Sequence, residues 1–321
     1  MARVLLTGGA GALGQRLLPQ LQQVGWTVRC LVHRRAVAGA DEVVAGDLAD
    51  AVALERAVAG ADAVLHLAAI THARSSRGYD EVNVAGTARL VEAARHCRVE
   101  RFVHVSTRAI APSGGAYSRS KRRAEDLVRD SRLDHVIVRL PEIYGTSASS
   151  PGRSAAGGSN TGGSGLSRSR TGGPRTGRHE GVDVIIDRAR RGAPIALIGD
   201  GSQQLRPLLV DDAILPLVAA SGLDARAGRT YTLAGECVTV RSFTELCIAH
   251  FGSRSRIVSV PGSVIAGLSL AARIVPLPIY PDQLARLRSE KPPPSPEAAA
   301  ELGFRPRSLA DGLRTLSGGG R

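Results

Sequence analysis

The chain has 321 residues, 43% of them hydrophobic, enough to bury the core of one large domain or of a domain with a smaller lobe. Its formal net charge of +13 is almost all arginine, but the arginines are dispersed and aromatics make up only 3%, which argues against a nucleic-acid surface of stacked rings and basic stripes. Cys30, Cys97, Cys237 and Cys247 lack metal-ligand spacing and read as reduced thiols of a cytosolic protein, with no disulfide framework and no metal.

The opening "MARVLLTGGAGALGQRLL" has glycines inside its apolar run, and Gln15 and Arg16 interrupt it where an export signal would continue. Strands are expected at 3–7, 27–32, 42–45, 63–68, 101–106 and 135–140. Between them lie helical stripes such as Leu13, Leu17, Leu18 and Leu21, or Val84, Ala88, Val91 and Ala94. Strand and helix in alternation predict an α/β fold, a doubly wound parallel Rossmann sheet covered on both faces over residues 1–145. Residues 146–180 are nearly all Ser, Gly, Thr and Arg, with almost nothing to bury, and are expected to be a disordered insertion. A helix at "GVDVIIDRARRG" and a strand at "PIALIG" then begin a smaller mixed C-terminal lobe, 181–321, with one strand returning to the first domain. The most apolar stretch, 258–272, is interrupted by Pro261 and ended by Arg273 before it reaches the length of a membrane span. It is expected to form a packed helix over a pocket rather than insert stably in a membrane.

"TGGAGALG", Thr7 to Gly14, follows the first strand and opens the first helix. Gly8 permits the tight turn, Gly11 lets a pyrophosphate approach the backbone, and Gly14 lets helix and strand pack closely. About twenty residues further on, an NAD enzyme places an acid for the ribose 2′-hydroxyl. Here the sequence reads "LVHRR" instead. His33, Arg34 and Arg35 offer guanidiniums and no carboxylate, which favours NADP over NAD as the cofactor.

Lys121 is one of only two lysines in an arginine-rich chain, four residues after Tyr117 in a predicted helix, so both side chains share a face. A phenol titrates near pH 10 and needs a neighbouring cation to exchange protons near neutrality. Thr107, at the carboxyl end of the fifth strand, is placed to hydrogen-bond a substrate oxygen.

With "GDLAD", "VLHLAA", "NVAGTARLVEAA", "YSRSK", "RLPEIYG" and "GDGSQQLRPLLVDD" added, the chain resembles an extended or atypical short-chain dehydrogenase/reductase of the NAD-dependent epimerase/dehydratase family. The resemblance implies that Thr107, Tyr117 and Lys121 form the catalytic set. It places Ala12 and Leu13 with the glycines, Asp47 and Leu48 at the adenine, Ala68 and Ala69 along the dinucleotide, and Pro141 near the nicotinamide. Thr71, Glu142 and Arg206 would face the substrate, and a homodimer through a helix pair is implied. Three features depart from the family pattern. The spacing from Thr107 to Tyr117 is short for a sugar-nucleotide epimerase; Glu142 replaces an asparagine that serves the diphosphate; and Leu205 stands where a phosphate-binding arginine is usual, with Arg206 beside it. The expected activity is hydride transfer at a carbinol or ketone carbon of a small molecule. The alternatives are a sugar-nucleotide epimerase or dehydratase, and a non-catalytic NADP(H)-binding module.

Overall fold

The computed structural model describes residues 2–73, 75–146, 181–222, 225–261, 263, 285–286 and 289–317. The expected disordered insertion, from residue 147, and the expected apolar helix, apart from residues 258–261 and 263, lie outside the described residues.

The first half winds as strand and helix in turn: β1 (Arg3–Thr7), α1 (Ala12–Gln23), β2 (Thr27–Val32), β3 (Glu42–Ala45), α2 (Ala51–Val58) and β4 (Ala63–His66). A short α3 (Ser76–Tyr79) runs through a wider π turn, Asp80–Ala85, into α4 (Gly86–His96). Then come β5 (Arg101–Thr107), α5 (Gly115–Asp130) and β6 (His135–Leu140). The second half adds β7 (Ile143–Tyr144), α6 (Asp183–Arg190), β8 (Ile195–Ile198), β9 (Gln204–Leu205), β10 (Leu208–Leu209), α7 (Ile214–Ser221), β11 (Arg229–Thr232), β12 (Val238–Thr239), α8 (Val240–His250) and β13 (Ile257–Val260). Short helices at Ala298–Glu301 and Leu309–Ser317 follow.

Seven strands form one sheet in the order β11-β6-β5-β4-β1-β2-β3, with every pairing parallel. β1 and β4 are buried along nearly their whole length because helices cover both faces, which is why they read as continuous apolar runs rather than alternating ones. On one face Leu17, Leu18 and Leu21 of α1 and Leu217 and Ala220 of α7 pack on Val4, Leu6 and Leu65. On the other, Leu54 and Val58 of α2 and Leu90, Val91 and Ala94 of α4 pack on Leu5, Val64 and Phe102. Val84, expected in the α4 stripe, falls in the π turn, which has one more residue per hydrogen-bonded loop and so shifts the face of everything before it.

The strand order reverses direction between β1 and β4, and ligands of open α/β sheets bind at such a reversal, beyond the carboxyl ends of the strands. After β10 and α7 the chain returns to the sheet as β11, which pairs with β6 from Arg229↔Val136 to Thr232↔Arg139. The remaining strands form two-stranded pieces, β7 with β10, β9 with β12 and β8 with β13, around a separate core of Tyr144, Ile186, Leu197, Leu205, Phe243 and Leu313.

Candidate active site

The glycine loop leaves β1 at the reversal of strand order. Gly8 has φ +75, and a Cβ there would lie 2.9 Å from the Ala68 nitrogen. At Gly14 a Cβ would come within 2.6 Å of both the Gly8 carbonyl oxygen and the Gly9 Cα, so the helix meets the loop with no room for a side chain. Gly11 differs: an added Cβ would meet only the Gly8 oxygen, at 3.2 Å, and would otherwise point into open space. Gly11 caps α1 without a side-chain hydrogen bond and no acid sits in the first turn, so the N–H groups of Ala12, Leu13 and Gly14 are not capped by a side chain. A bare helix N-terminus reached by a glycine backbone fits a pyrophosphate.

At the other end of this crevice, β2 ends at Val32 and exposes His33, Arg34 and Arg35. His33 Nε2 lies 3.5 Å from the Asp47 carboxylate, whose other oxygen accepts from the Ala49 N–H. Leu48 is buried against Gly86. Ala68 and Ala69 are half-buried just beyond β4.

A buried polar thread leads inward from the loop. The Ala68 N–H donates to Thr7 Oγ1 (3.2 Å), and Thr7 Oγ1 lies 2.7 Å from His66 Nδ1. On the ring's other side His66 Nε2 is 3.0 Å from Thr87 Oγ1, which donates its own proton to the Asn83 carbonyl. Thr87 must therefore accept from His66, so the ring carries its proton on Nε2 and takes the Thr7 proton at Nδ1. Burial, helped by the Lys121 charge, lowers the His66 pKa to about 3 and keeps this neutral tautomer in place. Asn83 continues the thread by holding both the N–H and the carbonyl of Ile70 and by donating to Ser120 Oγ, which donates to the Tyr117 carbonyl.

Tyr117 and Lys121 project from the buried face of α5. The Tyr117 ring meets Tyr79 edge-on at 5.8 Å, and the Arg286 guanidinium lies 4.7 Å from its centroid. Lys121 is 3% exposed. Its Nζ donates to the Val105 carbonyl at 2.9 Å and lies 3.3 Å from His104 Nε2. An ammonium has no acceptor lone pair, so Nε2 of the neutral His104 accepts, and the imidazole of His104, held well below its usual pKa by burial and by Lys121, supplies a dipole instead of a second charge. One turn on, Glu125 is fully buried but already engaged by Arg139, bidentate at 2.8 and 2.6 Å, and by Arg129 at 2.6 Å. It gives Lys121 only partial compensation, and burial carries the ammonium down to about 8. Thr107 closes β5; its hydroxyl accepts from the Ala109 N–H at 3.1 Å, leaving its proton to donate elsewhere.

The residues expected to face the substrate separate into two groups. Thr71 is exposed, with its hydroxyl 3.0 Å from His72 Nδ1. Glu142 and Arg206 lie beyond β6, next to Pro141, which was expected near the nicotinamide; Glu142 is ion-paired with Lys291, accepts from the Arg206 backbone N–H at 3.5 Å, and lies near Arg108. Leu205, at the expected site of a phosphate-binding arginine, is 2% exposed and belongs to the core of the second lobe.

The sequence profile of the NAD-dependent epimerase/dehydratase family matches residues 4–157. A 2-alkyl-3-oxoalkanoate reductase of Stenotrophomonas maltophilia is 30% identical over 261 residues, covering 78% of this chain and 76% of the relative. The chain belongs to the NAD-dependent epimerase/dehydratase family. A ceramide reductase of Caulobacter vibrioides is 41% identical over 148 residues, 44% of this chain and 46% of that protein, so the chain spans about half the length of this relative. Among solved structures, the UDP-glucuronic acid 4-epimerase of Bacillus cereus, in complex with UDP-glucuronic acid and NAD, superposes with a TM-score of 0.69 at 20% identity, covering 97% of this chain and 96% of the other.

Placed in this epimerase/dehydratase fold, several residues gain a position that sequence reasoning missed. His66 and His104 stand inside strands, where an isolated histidine carries no periodic signal. Arg286 and Lys291 come from a proline-rich tail, and Lys291 reaches Glu142 across 149 positions, beyond any local pattern. Arg108 directly follows Thr107 and reads as one arginine among many. Among the described residues no helix is long and apolar enough to cross a membrane, and no cluster of three or more His, Cys, Asp or Glu is arranged to hold a metal. Burial pushes the Cys30 thiol up to about 11 and Cys247 up to about 12, so both stay protonated core groups.

Proposed function

We propose that the protein is an NADP(H)-dependent reductase of small-molecule ketones. The observation that carries this reading is Lys121, a buried ammonium on the same helix face as Tyr117 at the carboxyl end of β5. Binding a dinucleotide does not by itself require a burial-strained cation beside a phenol; proton delivery does. A dinucleotide held by its pyrophosphate at the glycine loop would supply the hydride from its dihydronicotinamide. Thr107 donates to the ketone oxygen and fixes its direction, and Tyr117 hands its phenolic proton to that oxygen as the carbinol forms. Lys121 stabilises the resulting phenolate through its charge and keeps one N–H for the cofactor ribose, the other two being held by Val105 and His104.

Arg34 and Arg35, exposed and with no acid among their sequence neighbours at the end of β2, support the 2′-phosphate form of the cofactor. A reductase that exchanges its cofactor is favoured over a sugar-nucleotide enzyme because Glu142 is committed to Lys291 and Leu205 to the core, so neither serves a diphosphate. The reading includes a cytosolic homodimer, checked by light scattering after size exclusion.

The test is NADPH oxidation with a panel of 3-oxo acids, their esters and simple ketones, run on wild type and Tyr117→Phe. The variant should lose about 10²–10⁴ of turnover and keep its affinity for NADPH. Dinucleotide that survives extensive dialysis in stoichiometric amount, together with no NADPH consumption, would overturn the reductase reading in favour of an epimerase or dehydratase.

A further inference from the structure

Arg108 is 8% exposed, yet its guanidinium is only partly engaged. Among the described residues its one side-chain hydrogen bond runs from Nε–H to the Pro292 carbonyl at 2.9 Å, and neither Nη finds an acceptor. The titratable groups that bear on it are Glu142, Arg206 and the Cys237 thiol. Glu142, the one carboxylate of the three, is already ion-paired with Lys291, whose side chain is 7% exposed. Arg206 is half-buried, and among the described residues its side chain reaches the Gly235 carbonyl, at 3.5 Å. Among the described residues, three cations, Arg108, Arg206 and Lys291, thus stand near one carboxylate, Glu142. Burial is the largest cause lowering the Arg108 pKa; the Glu142 carboxylate opposes it and the Arg206 charge adds to it. Leaving a buried charge unpaired is costly, so an arginine in this state is poised for an anion that arrives from outside.

Its place says which molecule brings that anion. Arg108 directly follows Thr107 at the carboxyl end of β5, and Glu142 directly follows Pro141 at the end of β6, the neighbouring strand. The tail residues that wall the cluster, Lys291 and Pro292, continue from Arg286, which covers the Tyr117 ring. The cluster therefore lies on the substrate side of the sheet edge. In the sheet, β4 stands between β5 and β1, the strand that leads into the glycine loop, whose helix N-terminus is the place for the cofactor phosphates.

We propose that Arg108, seconded by Arg206, binds a carboxylate carried by the substrate, so that the natural ketone is an oxo acid. The forked guanidinium matches a carboxylate in two parallel hydrogen bonds, and Glu142 with Lys291 limits the site to a small net positive charge. A diphosphate, with more charge and bulk, would meet the Glu142 carboxylate.

This inference rests on the reductase reading for its substrate, and the experiment separates the two. Calorimetry on NADP-loaded protein, with no turnover required, compares hexanoate with hexanamide in wild type and Arg108→Gln. Hexanoate should bind wild type at least about tenfold more tightly than the amide, and Arg108→Gln should erase that preference. In parallel, the KM for 3-oxohexanoate should sit about tenfold below that for its methyl ester, with the gap lost in the variant. Arg206→Gln, tested as a second variant, should narrow both preferences if the first variant folds poorly. Equal binding of acid and amide by wild type would overturn the proposal even if the ester is reduced. Tight binding of UDP that disappears in Arg108→Gln would overturn it too, by assigning the cations to a diphosphate. A clear hexanoate preference in a protein that reduces nothing would keep the anion site and refute only the reductase.

Discussion

Replacing Lys121 with methionine should stabilise the protein near neutral pH, and the gain should fade as the pH rises. Burial lowers this ammonium from 10.5 to about 8 in the folded chain. With the folded value below the unfolded one, the native state binds fewer protons across that interval, so stability increases with pH through it and is lost as pH falls towards the folded value. Below about pH 8 the full penalty stands, about 3 kcal/mol at 1.36 kcal/mol per pH unit of difference. At about pH 9.5 the folded amine is mostly neutral while the unfolded one is still mostly charged, and the same linkage leaves about 1.5 kcal/mol. Methionine fills a similar volume without titrating, and it forfeits the bond to the Val105 carbonyl, a loss of about 1 kcal/mol at either pH. The difference in unfolding free energy between Lys121→Met and wild type should therefore shrink by about 2 kcal/mol between pH 7 and about pH 9.5. Urea denaturation of both proteins at the two pH values reads it directly, with every other titrating group common to the pair. A difference that stays constant with pH would show that Lys121 titrates as an ordinary surface lysine, and would remove the strained cation from the catalytic argument.

Gly14→Val should cut NADPH affinity by at least about tenfold, measured by nucleotide fluorescence, because its Cβ would fall 2.6 Å from the Gly8 carbonyl oxygen; binding left intact would mean the loop is not the phosphate site. Arg34→Ala combined with Arg35→Ala should weaken NADPH by about tenfold and leave NADH unchanged, and equal effects on both cofactors would refute the 2′-phosphate assignment. His66→Leu should destabilise the fold by about 3 kcal/mol in urea, since the buried Thr7 hydroxyl loses its acceptor and Thr87 its donor. In the intact protein the His66 ring, with its pKa near about 3, should show no NMR titration between pH 5 and pH 8, and a mid-range titration would break the tautomer assignment.

The doubly wound sheet was legible because its strands have apolar centres, as in "RVLLT", and because helices between them carry apolar residues at helical spacing, as α1 does with its leucines. β1, β2, β3 and β6 fall at the expected residues. β4 stops at His66 rather than residue 68, because Leu67 and Ala68 turn outward at the reversal and hand their N–H groups to the Thr7 carbonyl and hydroxyl. The glycine loop and the Tyr117/Lys121 spacing were legible for the same reason: each is a short-range pattern on one element. What the sequence hid is long-range pairing. Glu142 is read from its own position as an obstacle to a diphosphate, but its meaning changes once Lys291 is beside it, and no local rule joins a carboxylate after β6 to a lysine in a proline-rich tail.

The same distinction explains how the glycine loop and α5 are held in register. Neither the tight turn at Gly8 nor the face shared by Tyr117 and Lys121 fixes the distance between loop and helix; that is the task of the thread from Thr7 through His66, Thr87 and Asn83 to Ser120. Each member is buried and has a donor or acceptor that no water reaches, so a shift of α5 relative to β1 breaks a hydrogen bond with no replacement. An apolar core at the same place would tolerate such a slide at a cost graded with distance. A neutral histidine is the residue suited to the centre of that thread: it accepts at one nitrogen and donates at the other, spans two hydroxyls, and adds no charge beside an ammonium that is already difficult to bury.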